Sequence, residues 1–237
     1  MNLTLDIGNT VVKWATFEGH SMVGSGEWKE GNGKWKVENI ERALVCASGD
    51  MAKVQPLLAS LTSHFSLLTS STPLPIRLDY KTPETLGADR VADACGAAGL
   101  HPGEPCLVID AGTCITVDFL DAKGVYHGGA IMPGLGMNLQ ALHTFTAKLP
   151  LINIQEVRTA PVLGRSTEES IVAGTLGATL LALAGFVALY KEKAPGLRVL
   201  LTGGDAQRLM ASGGNGWEHI PHLTLIGLNE IMLYNEK

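Results

Sequence analysis

Long basic runs, paired cysteines and the common nucleotide fingerprints are all missing from this chain of 237 residues. The net charge is -5 with no long Lys/Arg run, which argues against nucleic acid as the main partner. Four cysteines, Cys46, Cys95, Cys106 and Cys114, form no Cys-x-x-Cys pair and no Cys/His zinc spacing. Free thiols are expected, three of them buried within apolar segments. No basic region and no long apolar core precede Asn2-Leu3-Thr4-Leu5-Asp6, so a cytoplasmic protein is expected. There is no low-complexity tract, and 46% hydrophobic with 17% charged residues is a globular balance.

Other absences narrow the chemistry. No Gly-x-x-x-x-Gly-Lys-Ser/Thr loop is present, which excludes a P-loop enzyme. No His-Arg-Asp or Asp-Phe-Gly set is present, which excludes a protein kinase. Gly134-Leu135-Gly136 lacks a third glycine and reads as a turn. Charge is absent from Ile171 to Tyr190, a run long enough to span a bilayer. Ser166-Thr167-Glu168-Glu169 before it reads as a helix start, and the run is rich in Gly, Ala and Thr. A buried or interface helix is expected, with no membrane partner.

What is present is one small device, twice. Leu3-Thr4-Leu5-Asp6-Ile7-Gly8-Asn9-Thr10 leads into Val11-Val12-Lys13-Trp14, and Leu107-Val108-Ile109-Asp110-Ala111-Gly112-Thr113 leads into Cys114-Ile115-Thr116-Val117. In each, an apolar strand ends in Asp-x-Gly, hydroxyl or amide side chains follow, and a second apolar strand leaves. A Gly turn exposes backbone N–H groups to which a phosphate can come close. The Asp offers hard oxygen to a cation such as Mg²⁺. A third Gly-rich turn, Leu201-Thr202-Gly203-Gly204-Asp205, ends a strand and suits an adenine ring or a phosphate.

Strands are expected at 2–7, 11–18, 22–28, 43–47, 65–68, 106–110, 114–120 and 197–202, and near Leu223-Thr224-Leu225. Helices are expected at 51–61, 89–100, 134–148 and 167–191, with one more closing the chain. Gly31 to Lys36 reads as a turn and Ser70 to Pro83 as a loop. This order gives an α/β protein of two related halves, 1–102 and 103–237, parted at His101-Pro102-Gly103-Glu104-Pro105.

Two Asp-x-Gly hairpins and a Gly-Gly turn resemble the ATPase superfamily of actin, hexokinase and Hsp70, which implies ribonuclease H-like halves, each a mixed sheet flanked by helices. Within it, Asp6-Ile7-Gly8-Asn9-Thr10-Val11-Val12-Lys13, Gly87-Ala88-Asp89-Arg90, Asp110-Ala111-Gly112-Thr113 and Gly128-Gly129-Ala130-Ile131-Met132-Pro133-Gly134 resemble, in order, the type III pantothenate kinases. The chain departs from the family in somewhat shorter loops and in Cys114, where Ala is common. The resemblance implies ATP-dependent phosphorylation of pantothenate, the first step of coenzyme A biosynthesis, by a homodimer. It implies that Asp6, Ile7, Gly8, Asn9, Thr10, Val11, Val12, Lys13 and Thr113 bind ATP, with Mg²⁺ at Asp6 directly or through water. Asp89 would be the catalytic base. Tyr80, Gly87, Ala88, Asp89, Arg90 and Thr167 would bind pantothenate. Asp110 would hold a monovalent cation, K⁺ or NH₄⁺.

The residues themselves agree in outline. Asp89 and Arg90 open a helix, where a carboxylate is favoured as the anion. Arg90 offers a planar fork that matches a carboxylate. Read alone, Gly87-Ala88-Asp89-Arg90 is equally a helix cap with a surface ion pair, Lys13 a solvated strand charge, and Tyr80 a loop aromatic. His127 and His143 read as structural or exposed. Two other functions share the hairpins: a kinase of the same superfamily for another small hydroxy acid or sugar, and a nucleotide-binding regulator without catalysis.

Overall fold

The fold was analysed on a computed structural model, which describes residues 1–8, 11–28, 39–47, 65–157, 159–214 and 216–236. The turn at Gly31–Lys36 and the helix at 51–61 lie outside them.

The first sheet begins as a meander of β1 (Asn2–Ile7), β2 (Val12–Glu18) and β3 (Ser21–Trp28). β4 (Arg42–Ala47) and β5 (Phe65–Leu67) then add in parallel beside β1, so the order is β3-β2-β1-β4-β5. The second sheet repeats the scheme. β7 (Cys106–Ala111), β8 (Cys114–Leu120) and β9 (Val125–Pro133) come first, with β7 and β8 antiparallel. β10 (Arg198–Thr202) and β11 (Glu218–His219) add in parallel beside β7. Its order is β11-β10-β7-β8-β9, with β6 (Arg77–Leu78) beyond β9. Both sheets thus read 3-2-1-4-5 in their own strands, the ribonuclease H-like order. This is the actin-like ATPase fold that the resemblance implies.

Six helices complete the described residues: α1 (Ala88–Leu100), α2 (Leu135–Thr144), α3 (Thr167–Val172), α4 (Ala178–Lys193), α5 (Ala206–Ser212) and α6 (Leu223–Tyr234). A π-helical turn, Ala173–Gly177, joins α3 to α4, making one helix from Thr167 to Lys193.

Contacts divide the chain into two compact units. One holds Met1–Gly103, Ala122–Gly128 and His222–Lys237; the other holds Glu104–Asp121 and Gly129–Pro221. The chain passes from the first unit to the second at Gly103–Glu104, and its tail from His222 belongs with the first. In that unit Leu3, Leu5, Ile7, Val12, Ala43 and Val45 form a core on one face of the sheet. On its other face α1 and α6 pack against each other and against β1 and β4. Two glycines permit the helix crossing: a Cβ on Gly227 would lie 1.7 Å from the Ala92 carbonyl oxygen, and one on Gly96 would lie 2.8 Å from that of Leu223. The Thr224 hydroxyl donates to Asp93 Oδ1 across the crossing, at 2.8 Å.

Two expectations need correction. Leu223-Thr224-Leu225 is not a strand but the first turn of α6, entered from His222 in the left-handed region at φ 62°. All three residues are buried, so their apolar-polar-apolar alternation does not mark two faces. The Ser70–Pro83 loop contains β6. The apolar helix is covered along one side. Leu176, Leu183 and Val187 pack into the second unit's core, while Leu181 and Leu189 on the opposite side are 78% and 57% exposed. By length and composition this is the one helix among the described residues that could cross a membrane.

Candidate active site

In the first unit, β1 and β2 close as a hairpin through Gly8, whose N–H donates to the Val11 carbonyl at 3.2 Å. Alternation sends Leu3, Leu5 and Ile7 into the core and turns Asp6 to the opposite face. Asp6 is directly opposite Lys13 on β2 and beside Cys46 on β4. Ile7 and Val12 are core side chains, which leaves only their backbone for a ligand. Asn9 and Thr10 lie outside the described residues.

The same face receives the start of α1. Gly87 is its N-cap and Asp89 stands in its first turn. Arg90 N–H donates to Asp89 Oδ1 at 2.8 Å. A Cβ on Gly87 would come within 2.5 Å of that oxygen, so the glycine makes room for the carboxylate. The Cys46 thiol is buried beside Asp6. Burial pushes its pKa well above the ordinary value, and the negative charges of Asp6, Asp89 and Asp93 push it further. Asp6 and Asp89, 83 positions apart in the chain, therefore act on one buried atom.

Arg90 is only 6% exposed, and its guanidinium carbon lies 5.9 Å from the centre of the Tyr80 ring. That distance suits a cation–π contact. Tyr80 follows β6, which pairs with β9 through Arg77–Val125 and Leu78–Tyr126. Its ring is tilted against Tyr126 at 6.0 Å between centres. Asp79 N–H donates to the Tyr126 carbonyl at 2.8 Å, and the Asp79 carboxylate is 3.3 Å from His127 Nδ1. Tyr80, Gly87, Ala88, Asp89 and Arg90 are thus brought together in the first unit. Sequence reasoning gave no role to Tyr126, His127 or Cys46; the only available signal was the Gly128-Gly129 pair beside the two aromatic residues.

In the second unit, β7 and β8 form a hairpin one residue tighter. Asp110 is opposite Thr116, and Gly112 N–H donates to the Cys114 carbonyl at 3.1 Å. The third glycine turn sits directly on this hairpin. Gly203 has φ 93°, and a Cβ there would be 2.3 Å from Asp110 Oδ1 and 2.5 Å from the Ala111 carbonyl oxygen. Asp205 N–H donates to the same carbonyl at 2.9 Å. Gly134, the N-cap of α2, donates its N–H to the Thr113 carbonyl at 3.1 Å. The Thr113 backbone is therefore held against the start of α2. Thr167 opens α3, where the Ser166 hydroxyl accepts the Glu169 N–H at 3.1 Å and Arg165 N–H donates to the Glu169 carboxylate at 2.6 Å. It lines an open groove with Leu142, Leu149 and Ser170.

Among the described residues no three His, Cys, Asp or Glu side chains cluster as a metal cage. Asp6 and Asp110 each bring a carboxylate to a hairpin, and hard cations prefer oxygen ligands of that kind. All four cysteines are free; Cys46, Cys95 and Cys106 are buried and Cys114 is exposed. Burial raises the Cys106 thiol to about 12.

The type III pantothenate kinase family model matches residues 2–189. The chain belongs to the type III pantothenate kinase family. The type III pantothenate kinase of Bacteroides fragilis is 41% identical over 242 residues, covering 99% of this chain and 98% of the relative. That of Cytophaga hutchinsonii is 36% identical over 238 residues, covering 99% and 100%. Among solved structures, a conserved Baf family protein from Campylobacter jejuni superposes with TM-score 0.64 at 20% identity, covering 99% of this chain and 98% of the other. A ROK family protein from Streptococcus pneumoniae superposes with TM-score 0.51 at 10% identity, covering 99% and 98%. These structures speak for the fold alone. As a pantothenate kinase the chain is a phosphotransferase, and kinases of this fold use ATP with a divalent metal.

Proposed function

We propose that this chain transfers the γ-phosphoryl group of ATP to the hydroxyl of pantothenate, giving 4′-phosphopantothenate and opening coenzyme A biosynthesis. The observation that carries the reading is the first turn of α1, where a carboxylate and a nearly buried guanidinium sit side by side next to Tyr80. Phosphoryl transfer needs positioning and charge neutralisation more than covalent help from the protein. Asp89 accepts the proton of the pantothenate hydroxyl as its oxygen bonds to the γ-phosphorus. The bond to the bridging oxygen breaks, and ADP leaves.

Arg90 pairs with the substrate carboxylate, and Gly87, Ala88, Tyr80 and Thr167 complete the pantothenate pocket. Backbone N–H groups of Asp6 to Lys13, with Asn9, Thr10, the Lys13 ammonium and Thr113, bind the ATP phosphates. Asp6 would hold Mg²⁺ directly or through water, and when bound the ion neutralises charge on the transferring phosphate. Asp110 would hold a monovalent cation, K⁺ or NH₄⁺. The enzyme works in the cytoplasm as a homodimer, with neither nucleic acid nor membrane as a partner. The exposed apolar side of the Thr167–Lys193 helix supports the dimer.

The test is ADP release by the purified protein with ATP, Mg²⁺ and K⁺ against a panel of hydroxy acids and sugars. Turnover with pantothenate alone is expected. Turnover only with another acceptor points to a different kinase, and none at all points to a nucleotide-binding regulator.

A further inference from the structure

The helix from Thr167 to Lys193 changes pitch at the π-helical turn Ala173–Gly177. There the Ala178 N–H donates to the Ala173 carbonyl, the wider ring of a π turn. On α3, Thr167, Ser170 and Ile171 line one open groove, together with Gly174 of the turn. On α4, Leu181 and Leu189 form the exposed apolar side. Gly174 and Leu181, like Ile171 and Leu189, are separated by close to whole numbers of α-helical turns. An unbroken α-helix would therefore join the groove face and the apolar side into one stripe. The π turn takes up one residue more, which swings the groove face of α3 about 100° away from Leu181 and Leu189. Thr175 sits inside the turn and is buried; its hydroxyl donates to the Ile171 carbonyl at 2.8 Å, with the Val172 carbonyl at 3.4 Å. Gly164 lays bare backbone against α3, where a Cβ would come within 2.3 Å of the Ser170 nitrogen.

We infer that Thr175 is a positioning residue for the acceptor: its hydroxyl fixes the π turn, and the π turn sets where α3 presents Thr167 to pantothenate. The competing state is the same segment run on in regular α geometry. A Thr hydroxyl bonded to the carbonyl four residues back loosens and bends a regular α-helix. Gly174 and Gly177, in the same turn, weaken the α alternative further. Gly164 then backs α3 in the direction that the turn has given it. Thr175 acts through Thr167, since the groove is lined by the residues of α3 and by Gly174. This inference rests on the assignment of Thr167 to the pantothenate pocket above.

The experiment compares Thr175→Val, Thr175→Ser, Thr167→Val and the Thr175→Val/Thr167→Val pair with the unmodified enzyme. It measures KM for pantothenate and for ATP by ADP release. Thr175→Val keeps the shape and removes the hydroxyl, so it should raise the pantothenate KM about fivefold with the ATP KM held within about twofold. Thr175→Ser keeps the hydroxyl and should stay within about twofold of the unmodified enzyme for both substrates. Because Thr175 acts through Thr167, adding Thr175→Val to Thr167→Val should cost little more than Thr167→Val alone. An unchanged pantothenate KM in Thr175→Val, an equal rise for ATP, equal losses in the Val and Ser variants, or full additivity with Thr167→Val overturns the inference. If Thr175→Val does not fold by circular dichroism, Thr175→Ala, which removes the hydroxyl without added bulk, takes its place under the same criteria. Failure of the underlying assignment looks different. Thr167→Val alone then leaves the pantothenate KM unchanged, which removes Thr167 from the pocket and this inference with it. If the pantothenate reading itself fails, the unmodified enzyme releases no ADP with pantothenate.

Discussion

Asp89→Asn separates chemistry from architecture at the proposed centre. The amide keeps the shape and still offers an oxygen to the Arg90 N–H that Asp89 now accepts at 2.8 Å. It loses the negative charge in the first turn of α1, an interaction worth roughly 0.3–1 kcal/mol. Net stability should therefore fall by no more than about 1 kcal/mol, or about 4 °C in Tm for a chain of this length. Loss of a general base costs about 10²–10⁴ in turnover, roughly 3–5 kcal/mol of barrier. Activity should therefore fall far more than stability can account for. The assay is coupled ADP release at saturating ATP and pantothenate, beside a thermal melt of the same preparation. Turnover within a few-fold of the unmodified enzyme, with an unchanged melt, would remove Asp89 from the role of base.

Five further outcomes concern other parts of the molecule. Arg90→Leu should weaken pantothenate much more than ATP and shrink the disadvantage of pantothenol; equal losses for both substrates would refute the carboxylate pairing. K⁺ added to a Na⁺ buffer should raise activity several-fold, and Asp110→Asn should abolish the stimulation; full activity without K⁺ in both proteins would give Asp110 another task. Leu181→Glu, on the exposed side of α4, should convert a dimer to monomer by light scattering, and an unmodified protein that is already monomeric at micromolar concentration would refute the interface. Gly227→Ala should cost about 3 kcal/mol, or roughly 6–12 °C, because its Cβ meets the Ala92 carbonyl and backbone cannot move aside cheaply. In contrast Gly136→Ala, with nothing within 4 Å, should leave the melt unchanged or slightly raised.

Much of this molecule could be read from the order of its residues. Asp-x-Gly between two apolar runs is a local statement, and it returned as two hairpins with Asp6 opposite Lys13 and Asp110 opposite Thr116. The start of α1 was legible for the same reason, because Gly87 and an acid in the first turn mark a helix entrance within a few residues. Resemblance across these motifs carried the family. Local pattern failed where burial came from several sides. Leu223-Thr224-Leu225 alternates like a strand, yet all three are covered, and the segment is helical. The apolar stretch around Leu181 has one composition throughout, so no periodicity divides its covered side from its open one.

Only the tertiary structure decided which distant residues meet. Gly227 reads as a poor helix residue until Ala92 is seen against it. Nothing along the chain connects Gly128 to Tyr80, or Tyr80 to Arg90: the first meeting follows the β6–β9 pairing, and the second sets a helix side chain against a ring. Sequence determines the elements because their propensities act over a few neighbours; their meeting points depend on which surfaces the whole chain can bury at once.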